Sequence, residues 1–180
     1  MTSERVWYFA YGSNMQPDTF AGRRGITPSR AVAARARDWR LALDKTPLLP
    51  IGEAFANLLA EPGAETWGVA YEITPNDLAH VDLTEGVLIG NYGRIEIAVE
   101  STAPDGPTRA FTLTSDKRSP ELIPSEYYMA LLIEGAETHG LPADWIAMLR
   151  AVPTCVSKPE VMAGRKVVDA GLSAMRRRRG

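Results

Sequence analysis

The sequence is poor in the residues that crosslink a protein or bind a metal ion. Its 180 residues include one cysteine, Cys155, and two histidines, His80 and His139. A single cysteine excludes an internal disulfide, and these three residues lack the spacing of a zinc site. We therefore expect no metal ion and no cofactor, and a chain suited to a reducing compartment.

Long apolar segments and a strong charge of one sign are also missing. No run of about eighteen apolar residues occurs, and residues 1–5 carry no apolar segment typical of a signal peptide. The formal net charge is only −2, which gives no reason to expect nucleic acid as a partner. The sequence thus predicts a cytoplasmic protein that binds neither membrane nor nucleic acid. The basic run Arg176–Arg179 is interpreted as a solvated chain end, with a nucleic-acid contact as the alternative.

The composition of the sequence indicates one globular domain over residues 1–180. Apolar content of 45% and charged content of 23% are ordinary for such a domain. Strand patterns dominate the first part and helical patterns the last, without a regular βαβ repeat, so the predicted fold class is α+β. The predicted strands are 6–11, 39–43, 54–60, 66–73, 92–99 and 109–114, and the predicted helices are 75–85, 125–138, 142–150 and 159–170.

Turn and cap residues set several of these boundaries. Residues 61–64 include Pro62 and Gly63 and have the composition of a hairpin turn between strands 54–60 and 66–73. Thr74 and Pro75 predict the start of the first helix and Gly86 its end. Residues 20–28 are predicted as a connection.

The most informative segment is residues 6–18. Val6–Tyr11 is β-branched and aromatic, Gly12-Ser13-Asn14 consists of turn residues, and residues 16–18 suit a helix start. A strand that ends in this way beside a helix leaves several backbone N–H groups pointing in one direction, and Gly12 lets a ligand approach the main chain. The segment predicts a site for a carboxylate or another anion, with a plain connection as the alternative.

Tyr8–Asn14 resembles the opening motif of the γ-glutamylcyclotransferases. Three later segments resemble parts of the same family in the same order: residues 53–69 its central hairpin, Asp82–Val87 with Tyr92 the segment of its catalytic glutamate, and residues 124–142 its late helix and following turn. The match spans about residues 6–150 and leaves 153–180 as a tail. It implies a small mixed β-barrel flanked by helices, including a strand over residues 31–37.

The resemblance implies that Glu85 is the catalytic general acid and base. Taken alone, Glu85 could be a solvated residue, but a carboxylate at a helix C-terminus meets the negative end of the helix dipole. The same resemblance implies substrate binding by residues of the opening motif and by Tyr128, which is chosen over its neighbour Tyr127. The implied binding residues are Tyr8, Phe9, Ala10, Tyr11, Gly12, Ser13 and Tyr128.

The implied activity is the conversion of a γ-glutamyl amide into 5-oxoproline and a free amine, by a lyase or acyltransferase. Family members act on γ-glutamyl amino acids, glutathione, γ-glutamyl-ε-lysine or γ-glutamylated antibiotic intermediates, so the small-molecule substrate stays open. Residues 45–50 are apolar and proline-rich, and would suit a larger or apolar leaving group better than glycine if they border the pocket. The alternatives are removal of a γ-glutamyl protecting group in natural-product biosynthesis, and a non-catalytic binding or interaction protein on the same fold. A homodimer also stays open.

Overall fold

The computed structural model describes residues 4–49 and 51–177. Pro50 of the apolar loop lies outside this range, as do Arg178 and Arg179, so the interpretation of the basic tail concerns side chains outside those described. The strands are β1 (Val6–Ala10), β2 (Arg30–Lys45), β3 (Phe55–Ile73), β4 (Gly93–Ala98), β5 (Glu100–Ser101) and β6 (Arg109–Thr114). The α-helices are α1 (Pro75–Glu85), α2 (Glu126–Thr138), α3 (Ala143–Arg150) and α4 (Pro159–Arg177).

The six strands form one mixed sheet in the order β4-β6-β1-β3-β2-β5. All pairs are antiparallel except β1 and β6, which run parallel. The sheet curves into a half-barrel with helices at its flanks, which confirms the predicted α+β class and the strand over residues 31–37. Because β1 lies between β6 and β3, its carboxyl end is held from both sides.

The predicted hairpin between residues 54–60 and 66–73 is wrong. These residues belong to one strand, β3, which pairs with β2 on both sides of the supposed turn, at Trp39↔Ala60 and Arg37↔Glu65. Residues 61–64 bulge out opposite Asp38 alone, whose Oδ1 accepts a hydrogen bond of 2.8 Å from the Gly63 amide. The hairpin is instead formed by β2 and β3, and residues 46–54 connect them.

The predicted boundaries of α1 are confirmed. The Thr74 hydroxyl accepts from the Asp77 amide while the Asp77 carboxylate accepts from the Thr74 amide, which completes a capping box. Gly86 ends the helix in the left-handed region at φ 72°. This cap fixes Glu85 as the last helical residue.

One further expectation needs correction. The predicted connection over residues 20–28 is partly helical. Residues 18–23 form a π-helical turn, and the connection begins only at Arg24. Leu83 of α1 is 54% exposed, whereas Leu78 and Val81 of the same helix are buried. His80 is buried in α1, and its Nε2 lies 3.1 Å from the Arg24 carbonyl oxygen. Among the described residues, none of the helices combines the length and the apolar character that a membrane crossing requires.

Helix α2 packs very closely against the 3₁₀ turn Ser13–Met15 that follows β1. A Cβ atom built on Gly135 would lie 2.6 Å from the Met15 carbonyl carbon and 2.7 Å from the Gln16 amide nitrogen. Both of these atoms belong to the backbone, so the turn or the helix would have to move to admit a side chain. The turn can lie this close to α2 only because residue 135 is a glycine.

We expect Gly135→Ala to lower the free energy of unfolding by about 1–3 kcal/mol, the usual cost of overpacking. Thermal or denaturant unfolding measures it. The control is Gly171→Ala in α4, where a Cβ meets nothing within 4 Å and alanine favours the helix. Equal stability of Gly135→Ala and the wild type would contradict the close packing described here.

Candidate active site

A cavity of about 610 Å³ opens at the carboxyl end of β1, a size typical of small-molecule sites. It lies beside the 3₁₀ turn, the end of α1, the start of α2 and the start of α4. The predicted site residues that line it are Tyr8, Tyr11, Gly12, Ser13, Glu85 and Tyr128. The fold thus brings together residues that lie up to 120 positions apart in the sequence.

Two residues of the predicted set lie elsewhere. Phe9 and Ala10 are almost fully buried in the core and do not contribute to the cavity lining. Successive residues of a strand point to opposite faces, and Phe9 alternates with Tyr8. Phe9 therefore lies on the face opposite to Tyr8, whereas Ala10 shares the Tyr8 face but is only 1% exposed and outside the cavity lining.

Glu85 is anchored at the cavity wall through one of its two carboxylate oxygens. Its Oε1 accepts hydrogen bonds from Asn14 Nδ2 at 2.9 Å and from Arg24 Nη2 at 2.5 Å. Its Oε2 accepts no hydrogen bond from the part of the chain that the structure describes, and the side chain is 19% exposed. One oxygen fixes the orientation of the group, and the other can accept or donate a proton.

Arg24 connects the residues around Glu85. Its side chain is 6% exposed, and its Nε donates to Asn14 Oδ1 at 2.6 Å while its Nη1 donates to the Thr84 hydroxyl. Asn14 Nδ2 in turn also donates to the Tyr8 hydroxyl at 3.1 Å. The buried guanidinium therefore donates hydrogen bonds both to the turn after β1 and to the end of α1, and fixes their relative position. Its planar set of donors allows this.

Tyr128 faces the opening motif from α2. Its hydroxyl oxygen accepts from the Ala56 amide at 3.0 Å and lies 3.1 Å from where a Cβ on Gly12 would be. Burial raises the pKa of Tyr128 to about 12, so the phenol stays neutral. Tyr127 also borders the cavity but is 43% exposed.

The turn after β1 has free backbone donors. The amides of Met15 and Gln16 donate to the carbonyl groups of Gly12 and Ser13. The amides of Gly12 and Asn14 donate to no acceptor among residues 4–49 and 51–177, and the Ser13 amide faces the Tyr128 hydroxyl. This arrangement is compatible with the anion site predicted from the sequence.

Lys45 places a buried ammonium group at the same cavity. Its Nζ donates to the Thr46 carbonyl at 2.6 Å and to Asn91 Oδ1 at 2.5 Å, and it lies 4.6 Å from the centre of the Tyr92 ring. Asn91 Nδ2 donates to the Glu85 carbonyl at 2.9 Å. Burial lowers the pKa of Lys45 to about 8, and the positive charge of Lys117 acts in the same direction.

This shift predicts how stability depends on pH. Between about pH 8 and about pH 10.5 the unfolded chain keeps the Lys45 proton that the folded chain has lost. Stability rises with pH where the unfolded state binds more protons. The free energy of unfolding of the wild type, minus that of Lys45→Met, should therefore rise over this range and stay level below it. Denaturant titrations of both proteins from pH 7 to about pH 10.5 measure it, and a constant difference would contradict the shift.

The sequence did not identify four polar residues of this site: Asn14, Arg24, Thr84 and Lys45. Asn14 stands within the quoted opening motif, and Thr84 directly precedes Glu85, so the motifs offered a signal for both. Arg24 and Lys45 offered none, because an arginine in a connection and a lysine at a strand end are usually solvated.

Few side chains at the cavity have an imidazole or a carboxylate that could act as the general base. Neither His80 nor His139 lines it; of the described residues, only Glu85 and Glu160 bring carboxylates to it. Glu160 is exposed in the first turn of α4, whereas Glu85 is held by two hydrogen bonds. No group of three or more His, Cys, Asp or Glu residues suited to a metal ion occurs in the described part of the chain.

Comparisons with known proteins show which family the chain is similar to. Residues 65–149 match the AIG2-like family. The chain is 32% identical over 174 residues to gamma-glutamyl cyclotransferase aclK of Aspergillus oryzae, covering 86% of this chain and 63% of that protein. It is also 32% identical over 156 residues to human gamma-glutamylcyclotransferase, covering 83% of this chain and 79% of the human protein.

The fold of the chain is also similar to that of a solved structure. A solved structure of a gamma-glutamyl cyclotransferase superimposes with a TM-score of 0.75 at 24% identity, over 93% of this chain and 99% of the other. The curated relatives match more than four fifths of this chain. The chain belongs to the γ-glutamylcyclotransferase family.

Proposed function

We propose that the protein is a γ-glutamylcyclotransferase that releases 5-oxoproline and a free amine from a γ-glutamyl amide, with Glu85 as general acid and base. The observation that carries the proposal is the fixed Glu85 carboxylate, which keeps one oxygen free at a cavity lined by neutral tyrosines. Relatives named γ-glutamylcyclotransferase, at about 30% identity, support the family-level activity.

The reaction needs little from the protein beyond position and proton transfer. The α-amine of the γ-glutamyl group attacks the γ-carbonyl carbon, the five-membered lactam closes, and the bond to the leaving nitrogen breaks. The nucleophile is already tethered to the carbonyl. Holding the γ-glutamyl group of the substrate in a bent conformation therefore supplies much of the acceleration. No water is consumed and no covalent enzyme intermediate is required.

Glu85 is placed for both proton transfers. Its Oε2 takes a proton from the attacking amine and returns it to the leaving nitrogen, while Oε1 stays bound to Asn14 and Arg24. Neutral Tyr8 and Tyr128 offer hydroxyl groups to the substrate, because burial raises the pKa of both phenols. The amides of Gly12 and Asn14 are donors for the α-carboxylate or for the oxyanion.

The proposal is tested with γ-glutamyl-alanine, N-acetyl-γ-glutamyl-alanine and α-glutamyl-alanine. The first compound should yield 5-oxoproline and alanine. The second has no nucleophilic amine, and in the third the amine would have to close a strained three-membered ring, so both should stay intact. Turnover of the N-acetylated compound would overturn the mechanism. Failure of every γ-glutamyl amide tested would favour a non-catalytic binding protein.

A further inference from the structure

We infer that the leaving group of the substrate is a bulky apolar amine, such as an amino acid with an aliphatic or aromatic side chain. The inference rests on the proposed function and specifies its substrate class. It comes from the part of the cavity lining that the glutamyl chemistry leaves unused.

One part of the cavity lining is apolar, and we call it the apolar wall. It combines the connection between β2 and β3 with the first turns of α2 and α4. Its members are Leu48, Leu49, Ile51, Tyr127, Leu131 and Val161. Tyr127 and Leu131 lie four residues apart in α2, so they share one face of that helix.

The apolar wall is left uncovered by the protein itself. Leu48 is 58% exposed, Leu49 is 66% exposed and Tyr127 is 43% exposed. A soluble protein rarely groups large apolar side chains around one opening unless they bind something. Here three exposed apolar residues from two separate elements border the same cavity, so a single ligand can cover all of them.

The γ-glutamyl group does not match this wall. It carries an ammonium and a carboxylate at one end and a reacting carbonyl at the other, and its partners are the polar groups around Glu85, Asn14 and Tyr128. The leaving amine is the remaining part of the substrate, and we place it against the apolar wall. Arg23, Lys158 and Glu160 also border the cavity, so cationic groups are available for the carboxylate of an amino acid while the apolar wall contacts its side chain.

The test compares kcat/KM for γ-glutamyl-phenylalanine, γ-glutamyl-leucine and γ-glutamyl-glycine by release of 5-oxoproline. An apolar pocket discriminates by about 10- to 200-fold for each methylene group, so we expect the first two to exceed the glycine compound by at least about tenfold. Leu49→Ser should reduce that ratio several-fold, because it removes an apolar contact that only the two larger side chains can make. Leu88→Ser is the matched control, because Leu88 is 82% exposed and lies outside the cavity lining.

The outcomes separate this inference from the proposed function. Equal kcat/KM for all three compounds, or a ratio that Leu49→Ser does not change, would overturn the inference while the cyclotransferase activity stands. Release of 5-oxoproline from none of the three would remove the proposed function itself. Since Leu49 is exposed, its serine variant should fold normally, and thermal unfolding checks this.

Discussion

Glu85→Gln should lower kcat for 5-oxoproline release by about 10²- to 10⁴-fold, the range that general acid–base catalysis supplies. Glutamine keeps the length of the side chain, and its carbonyl oxygen can still accept from Asn14 and Arg24. It cannot take up a proton from the ammonium of the substrate. The loss should therefore appear in kcat, while the fold and the affinity for a γ-glutamyl compound stay close to wild type.

Glu160→Gln is the matched comparison, because Glu160 also brings a carboxylate to the cavity. It should keep most of the activity, since Glu160 lies exposed in the first turn of α4. Steady-state kinetics on γ-glutamyl-alanine, with ligand binding measured by calorimetry, distinguish the two. If Glu85→Gln stays active and Glu160→Gln does not, the base has been assigned to the wrong helix.

Arg24→Met should have the largest effect on stability, a loss of about 3–5 kcal/mol, as is usual when one partner of a buried ion pair is removed. The Glu85 carboxylate would lose its counter-charge and Asn14 Oδ1 would lose a donor at 2.6 Å. The turn after β1 and the end of α1 would lose the hydrogen bonds from Arg24 that connect them. We therefore also expect kcat to fall, although Arg24 need not contact the substrate.

The surface pair Arg109–Glu96 is the control, with a distance of 3.0 Å and side chains 59% and 45% exposed. Arg109→Met should cost about 0–1 kcal/mol, because solvent screens such pairs. Denaturant unfolding measures both variants. Arg24→Lys, which keeps the charge but loses the planar set of donors, should recover part of the stability if Arg24→Met folds poorly. Equal effects at the two pairs would contradict the role given to Arg24.

Local signals in the sequence were sufficient for much of the fold. The Thr74 cap, the first-turn Pro75 and the left-handed Gly86 define α1, and each acts through its immediate neighbours. The same holds for Ser125, whose hydroxyl accepts from the Tyr128 amide at the start of α2. Such boundaries depend on a few consecutive residues and can therefore be predicted.

The hairpin error shows where local signals fail. Pro62 and Gly63 suit a tight turn, but they equally suit a bulge when the flanking residues keep pairing with one long partner strand. The pairing of β3 with β2 on both sides of the bulge decided the outcome. That information lies in residues 30–45, far from the turn itself.

The candidate site was predicted in part, for a similar reason. Glu85, Tyr8, Gly12, Ser13 and Tyr128 stand in motifs and do line the cavity. Arg24 and Lys45 are polar residues whose burial is set by the tertiary fold, so nothing in their local sequence indicates a functional position. Phe9 and Ala10 stand in the same motif, but both are buried in the core and lie outside the cavity lining.

The central claim is that the α-amine of the substrate, and not water, breaks the γ-glutamyl bond. The most direct measurement is the reaction of γ-glutamyl-alanine in water labelled with oxygen-18, followed by mass spectrometry of the products. Intramolecular attack transfers no oxygen from solvent, so the product should be 5-oxoproline without label, formed together with alanine. Labelled glutamate, or 5-oxoproline that carries the label, would show that hydrolysis comes first and would contradict this account.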